Sequence, residues 1–114
     1  MSDTTDVVDR QIAAYQERNL DAFLDLYAKD ARIRQFDGSV VVGGTDGLRS
    51  FYEPLFRDSP GLKASVLHRI AAGDYVIDEE ETTGVNVPGY PATMHAVVIY
   101  QVKHGLIHDV IFLM

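Results

Sequence analysis

Four consecutive acids, Asp78-Glu79-Glu80-Glu81, are the densest concentration of proton-transfer chemistry in this chain. They sit in a segment, Tyr75 to Val85, whose pattern is alternating rather than helical. On an extended strand, alternation sends Asp78 and Glu80 to one face and Glu79 and Glu81 to the other. One pair therefore points inward unless the strand twists away or a bulge intervenes. A carboxyl group among apolar neighbours holds its proton more tightly than one in water, which suits a general acid or base. The structural alternative is an ion pair with Arg69 or His68 on the preceding strand. Asp37 is a second acid–base candidate: two residues after Gln35, on a continuing strand it points the same way, toward a pocket mouth. Aspartate before glycine is also a common turn former, and Asp37-Gly38 reads more readily as a turn.

The histidines add polar chemistry without a metal motif. His104 and His108 have the i, i+4 spacing that chelates a metal on a helix, but Gly105 places a turn between them. His68 and His95 lie on different strands and can approach a carboxylate. Pairing of His68 with an inward glutamate is the preferred device, and neither a metal nor a cofactor is expected. The absence of cysteine excludes disulfides and thiolate metal sites.

These groups need elements to position them. Val8, Ile12 and Tyr15 share one face of a first helix, with Asp6 or a preceding threonine as its cap. Asn19 is placed to cap a second helix whose inner face carries Leu20, Phe23, Leu24 and Tyr27. Arg32 to Phe36 reads as a strand ending at Asp37-Gly38, and Val40 to Val42 as a short extended piece closed by Gly43-Gly44. A third helix, capped by Thr45, presents Leu48, Phe51, Tyr52 and Leu55. Pro54 should bend or tighten it, and Ser59-Pro60-Gly61 should end it. Four strand-like runs follow: Leu62 to Ala72, Tyr75 to Val85, Ala92 to Lys103 and Leu106 to Met114. Gly73-Asp74, Pro88-Gly89-Tyr90-Pro91 and His104-Gly105 separate them as hairpin junctions.

A sheet laid down after three helices must curl around them, which predicts an α+β cone with a pocket. Met94, Ala96, Val98 and Tyr100 share one face of the third late strand, and His108, Val110, Phe112 and Met114 one face of the last. With Tyr15, Phe51 and Tyr52 they make a mostly apolar lining suited to a small hydrophobic, partly oxygenated ligand. An interior filled solid by its own side chains is the competing expectation. Ala96 to Tyr100 is apolar on both faces, which predicts a homodimer formed through the outer face of the sheet.

Composition bounds the rest. At 114 residues, 46% of them hydrophobic, the chain is expected to form one domain over 1–114. A formal charge of −7 disfavours nucleic acid, whose phosphates need clustered Lys and Arg. No apolar run approaches a membrane span. The opening Met1 to Asp6 stretch is acidic and polar, unlike the basic start of a secretion signal, so a cytoplasmic location is expected.

The segments Val7-Val8 through Tyr27-Ala28, Ala31 to Ser39, Leu48-Arg49-Ser50-Phe51-Tyr52 and Gly105-Leu106-Ile107 resemble the NTF2-like superfamily. Within it the chain is similar to the SnoaL-like and ketosteroid-isomerase-like branch. The resemblance implies three N-terminal helices packed in a strongly curved, largely antiparallel sheet. It also implies an isomerase- or cyclase-like enzyme working by proton transfer, or a non-catalytic ligand-binding or dimeric interaction domain on the same fold. The isomerase chemistry needs a carboxylate base on the first strand, a tyrosine on the first helix and a neutral carboxylic acid on a late strand. Those positions fall on Gln35, Gln11 and Val98, which cannot perform it. Supporting tyrosine positions fall on Tyr27 and Tyr52, with Tyr15 one turn after Gln11. The resemblance makes Glu79 and Glu81 the pocket-facing pair. Asp37 and Glu79 are accordingly the catalytic candidates. Gln11, Tyr15, Gln35, Phe51, Tyr52, His68, Val98, Tyr100, Val110 and Phe112 are the substrate-binding ones.

Overall fold

A computed structural model describes residues 3–113 of the chain. Three helices come first: α1 (Asp3–Glu17), α2 (Leu20–Leu24) and, after two strands, α3 (Gly44–Asp58). The strands are β1 (Tyr27–Gln35), β2 (Val40–Gly43), β3 (Lys63–Ala72), β4 (Tyr75–Thr83), β5 (Met94–Lys103) and β6 (Leu106–Leu113). They form one sheet in the order β2-β1-β6-β5-β4-β3. Every neighbouring pair is antiparallel except β1 and β6, which run parallel. Bulges within the β1–β2, β3–β4 and β5–β6 ladders supply the local bends that curl the sheet. The architecture is the α+β cone expected; Met114, where the last strand was expected to end, lies outside the described residues.

The helices fill the concave side. Val7, Val8 and Ile12 of α1, Phe23 and Leu24 of α2, and Leu48, Tyr52 and Phe56 of α3 are all buried. They meet inward side chains of the strands, including Ile33, Val76, Val98, Tyr100, Ile107 and Val110. An aromatic cluster sits where the helices converge. The rings of Phe23 and Tyr52 lie 4.6 Å apart, and those of Phe23 and Tyr27 5.0 Å. Such tilted contacts add to the energy of area burial and restrict ring rotation.

Three local expectations are corrected. Helix α1 starts at Asp3, so Thr4, Thr5 and Asp6 lie inside it rather than capping it. Helix α2 stops at Leu24, and Tyr27 opens β1 instead of extending a helical face. The cause is non-local: the amide of Ile107 on β6 donates to the carbonyl of Leu26 at 2.8 Å, drawing this chain into a parallel ladder eighty residues distant in sequence. The cap of α3 is Gly43, not Thr45, whose hydroxyl reaches the Lys29 carbonyl at 3.4 Å. Asn19 does cap α2, its side-chain oxygen accepting from the Ala22 amide at 3.2 Å. Pro54 lies within α3, which continues to Asp58.

The α3 exit is pinned to the loop after β4. Ser59 is fully buried and its hydroxyl accepts from the Asn86 amide at 2.9 Å. Gly84 lies alongside with φ +77°, and a Cβ there would collide with the backbone carbonyl of Gly61. Both the backbone conformation and the close approach require glycine. Gly84→Ala should therefore lower stability by roughly 2–4 kcal/mol, read as an earlier urea midpoint with an unchanged slope.

Candidate functional site

The concave side of the sheet is not packed solid. A cavity of about 310 Å³ opens between the helices and the strands. Its walls are largely apolar, with Ile12, Phe23, Leu55, Met94 and Ala96 among them. Gln11, Tyr15, Tyr52, Val98, Tyr100, Val110 and Phe112 line it as expected from their positions on α1, α3, β5 and β6. Gln35 and Phe51 also line it from exposed positions. Val85, Val87, Tyr90 and Pro91 bring the β4–β5 connection over the same cavity. His108 is not part of the lining, and Met114 lies outside the described residues.

The acid in the wall is Glu80, not Glu79. In the β4–β5 ladder Val76 pairs with Tyr100, Asp78 with Val98 and Glu80 with Ala96. Even-numbered β4 residues therefore share the face on which Val98 and Tyr100 are buried. Asp78 is 0% exposed and Glu80 9%. Glu79 projects from the opposite face, where its two oxygens meet His68 Nδ1 at 2.6 Å and His95 Nε2 at 2.7 Å. Those hydrogen bonds, His68 first, hold the Glu79 carboxyl below the usual carboxylate range. Glu79 and His68 are thus corrected from cavity residues to a cluster on the outer sheet surface. The expected glutamate–His68 pair exists, on the other side of the sheet.

Asp37 is corrected as well. It sits at the tip of the β1–β2 hairpin, with its carboxylate accepting from the amide of Ser39 at 2.9 Å and from the Ser39 hydroxyl at 2.7 Å. These bonds, made by the turn itself, lower its pKa. The group is exposed and does not line the cavity.

Three polar contacts decorate the apolar interior. Tyr100 donates its hydroxyl to Glu80 Oε2 at 2.8 Å. Tyr27 donates to Gln11 Oε1 at 2.8 Å, so the carboxamide oxygen is engaged and its NH₂ end is the one left for a ligand oxygen. Tyr15 pairs with the Thr82 hydroxyl across from Glu80. Burial pushes the phenols of Tyr15, Tyr27, Tyr52 and Tyr100 upward, so all four are donors rather than anions near neutral pH. Burial likewise raises Glu80 from the usual 4.5 to about 7, opposed by the hydrogen bond from Tyr100 and reinforced by the neighbouring Asp78. Asp78 itself is held by a two-pronged bond from Arg69, at 2.7 Å from Nε and 2.9 Å from Nη2. No group of three or more His, Cys, Asp or Glu among the described residues has the arrangement of a metal site.

Sequence reasoning missed Glu80, Asp78 and Thr82 as interior groups. Tyr75, Val76 and Ile77 are all apolar and all four following residues are acids, so β4 carries no internal phase. The long connection between Thr83 and Met94 also sets no hairpin register. Only the pairing with β5, whose inward residues were legible, decides it.

A cone-shaped α+β fold around an apolar cavity with a single buried glutamate and a ring of phenols defines the class. The family model of the SnoaL-like domain matches residues 8–110, and the chain belongs to that family. Solved structures agree on the fold. An uncharacterized cystatin-fold protein of Novosphingobium aromaticivorans is 26% identical, with a TM-score of 0.87 over 100% of this chain and 99% of that one. An NTF2-like protein of unknown function from Cytophaga hutchinsonii is 19% identical, with a TM-score of 0.76 over 96% and 88%. A protein of Jannaschia sp., provisionally assigned as a SnoaL-like polyketide cyclase, is 17% identical, with a TM-score of 0.77 over 98% and 85%. No functionally curated protein matches the sequence. No helix among the described residues is long and apolar enough to cross a membrane.

The raised pKa of Glu80 has a thermodynamic consequence with a definite sign. The folded state binds this proton more tightly than the unfolded chain. Its stabilising contribution is complete below about pH 4.5 and is lost as pH rises through about 7. Between pH 5 and pH 8 the native protein should lose roughly 2–3 kcal/mol that Glu80→Gln does not lose. Urea denaturation of both proteins at the two pH values checks this; parallel losses would contradict it.

Proposed function

We propose that this protein is an enzyme that moves a proton on a small hydrophobic carbonyl compound, in the manner of an isomerase or cyclase. The observation that carries this reading is Glu80: one buried carboxyl group in the wall of an apolar cavity, bonded by the Tyr100 phenol, where burial pushes its pKa up to about 7. A general base performs best when its pKa lies close to the working pH, because it is then both available and strong enough. The ionised Glu80 takes a proton from the carbon next to the substrate carbonyl. The oxygen that gains charge is met by the Gln11 NH₂ and by phenol donors from Tyr15 or Tyr52. The same carboxylic acid then returns the proton to another carbon, or the enolate carbon attacks a second carbonyl carbon of the same molecule, whose C=O π bond breaks to an alkoxide that takes the proton from Glu80. Apolar walls around the site strengthen each of these interactions by excluding water.

Gln11, Gln35 and Val98 at the three positions where the resembled isomerases need titrating or donating groups favour a second reading, a binder without chemistry. A panel of small cyclic enones, followed by ultraviolet absorbance and by exchange of the α-hydrogen for deuterium, separates the two. The enzymatic reading expects kcat/KM to rise with unit slope through about pH 7 and to fall by about 10²–10⁴-fold in Glu80→Gln. Glu79→Gln, on the outer face, should stay within about twofold. Saturable binding with neither exchange nor turnover at any pH would instead make the protein a binder.

We also propose that two copies associate through the convex face of the sheet. Ile77 and Ile99 are cross-strand partners there, as are Ile99 with Ile111 and Val97 with Leu113, and together they form a half-exposed apolar stripe. The stripe is flanked by the His68–Glu79–His95 cluster and by Arg34, which is bonded twice to Asp109 at 3.0 and 2.6 Å. Sedimentation should find a dimer at micromolar concentration that Ile99→Lys converts to a monomer. A native protein that sediments as a monomer would remove this proposal and leave the reading of the cavity intact.

A further inference from the structure

Beneath Glu80 lies a second, more deeply buried carboxylate that the chemistry above does not use. Asp78 is on the same strand and the same face, two residues earlier, and is fully buried. Both of its oxygens accept from Arg69 on β3, which pairs opposite it in the ladder. The remaining arm of that guanidinium, Nη1, donates to Asp9 on α1 at 2.7 Å. Arg69 therefore joins three elements, β3, β4 and α1, and its side chain is only 21% exposed. Asp78 also lies within hydrogen-bonding reach of Glu80.

We propose that Arg69 and Asp78 are positioning residues for Glu80: the two-pronged clamp engages both oxygens of Asp78 and leaves Glu80, bonded by a phenol, as the carboxyl group that exchanges its proton at the cavity wall. The role rests on the reading of Glu80 as the proton carrier. Two carboxyl groups this close share a proton between them, and their titrations belong to the pair unless something distinguishes the partners. Here the distinction is geometric. Planar guanidinium engages both oxygens of Asp78 in a fork, whereas the hydrogen bond to Glu80 comes from the phenol of Tyr100. Those facing groups are Tyr100 of β5, Tyr15 of α1, Tyr27 of β1 and Tyr52 of α3, with Asp78 and Arg69 the charged neighbours. The anion of Asp78 opposes ionisation of Glu80, and Arg69, already occupied by two carboxylates, offsets it only in part. The exposed Asp9 takes up the third arm of the guanidinium and draws part of its charge away from the pair.

The direct test is a pH titration of the Glu80 carboxyl by carbon-13 NMR of protein labelled in its glutamate side chains, with the signal assigned by its disappearance in Glu80→Gln. In Asp78→Asn the opposing anion is gone and Arg69 retains its charge, and both changes favour ionised Glu80. Its midpoint should fall by at least one pH unit, a tenfold or greater drop in the protonated fraction near neutrality. A purely structural role for Asp78 would lower the denaturation midpoint and leave the titration in place, and an unmoved Glu80 midpoint in folded Asp78→Asn overturns the proposal. Should Asp78→Asn fail to fold, Asp9→Asn carries the test from the exposed end. Freed from Asp9, Arg69 acts more fully on the pair, and the protonated fraction of Glu80 should fall about twofold; no movement overturns the proposal there too. Because the readout is a proton and not turnover, a shifted midpoint in a protein that converts no carbonyl compound supports the clamp and overturns only the enzymatic reading.

Discussion

Alternation along a strand obliges β4 to send half of its acid run into the interior. Asp78 and Glu80 are inside because Val76 and the β5 residues opposite them are inside, and the β4–β5 ladder runs from Tyr75 to Thr82 without a bulge that could turn either one out. A buried carboxylate without partners is costly, so the interior must answer both. The answers differ. Asp78 receives a full charge partner in Arg69, while Glu80 receives one phenol and keeps its proton up to about neutral pH. The difference between a structural anion and a usable acid–base group follows from which neighbour each one faces.

The two odd-numbered glutamates show the contrast on the same strand. Glu79 is one residue away from Glu80, yet it faces solvent and two half-solvated imidazoles. Its hydrogen bonds to them are open to solvent and contribute little to stability. They serve instead to keep an acidic residue compatible with the apolar stripe beside it. On the opposite flank, Arg34 does the same for Asp109. A strand of four acids thus builds two unrelated environments, separated by the thickness of a single sheet.

Much of the fold was legible because it rests on local pattern. The apolar stripes of α1 and α3, the turn at Asp37-Gly38, the Asn19 cap and the four late strands are each encoded within a dozen residues. The cavity lining on β5 and β6 could be named for the same reason, since alternation with apolar inward residues is visible in Val98, Tyr100, Val110 and Phe112. Tyr27 was misplaced because its end of β1 is paired only with Ile107 of β6, at the far end of the chain. An unbroken acid run has no phase of its own, and the resemblance, which alone singled out Glu79, misplaces the register by one residue.

What the amino-acid order alone determined is the inventory: three amphipathic helices, a late meander of strands, an apolar interior supplied with phenols, and two acids that had to enter it. Which two, and what they would meet, was settled only by the tertiary structure. Strand register is a property of pairs, and the pK of a carboxyl group is a property of its surroundings. Neither can be carried by a segment before its partners arrive.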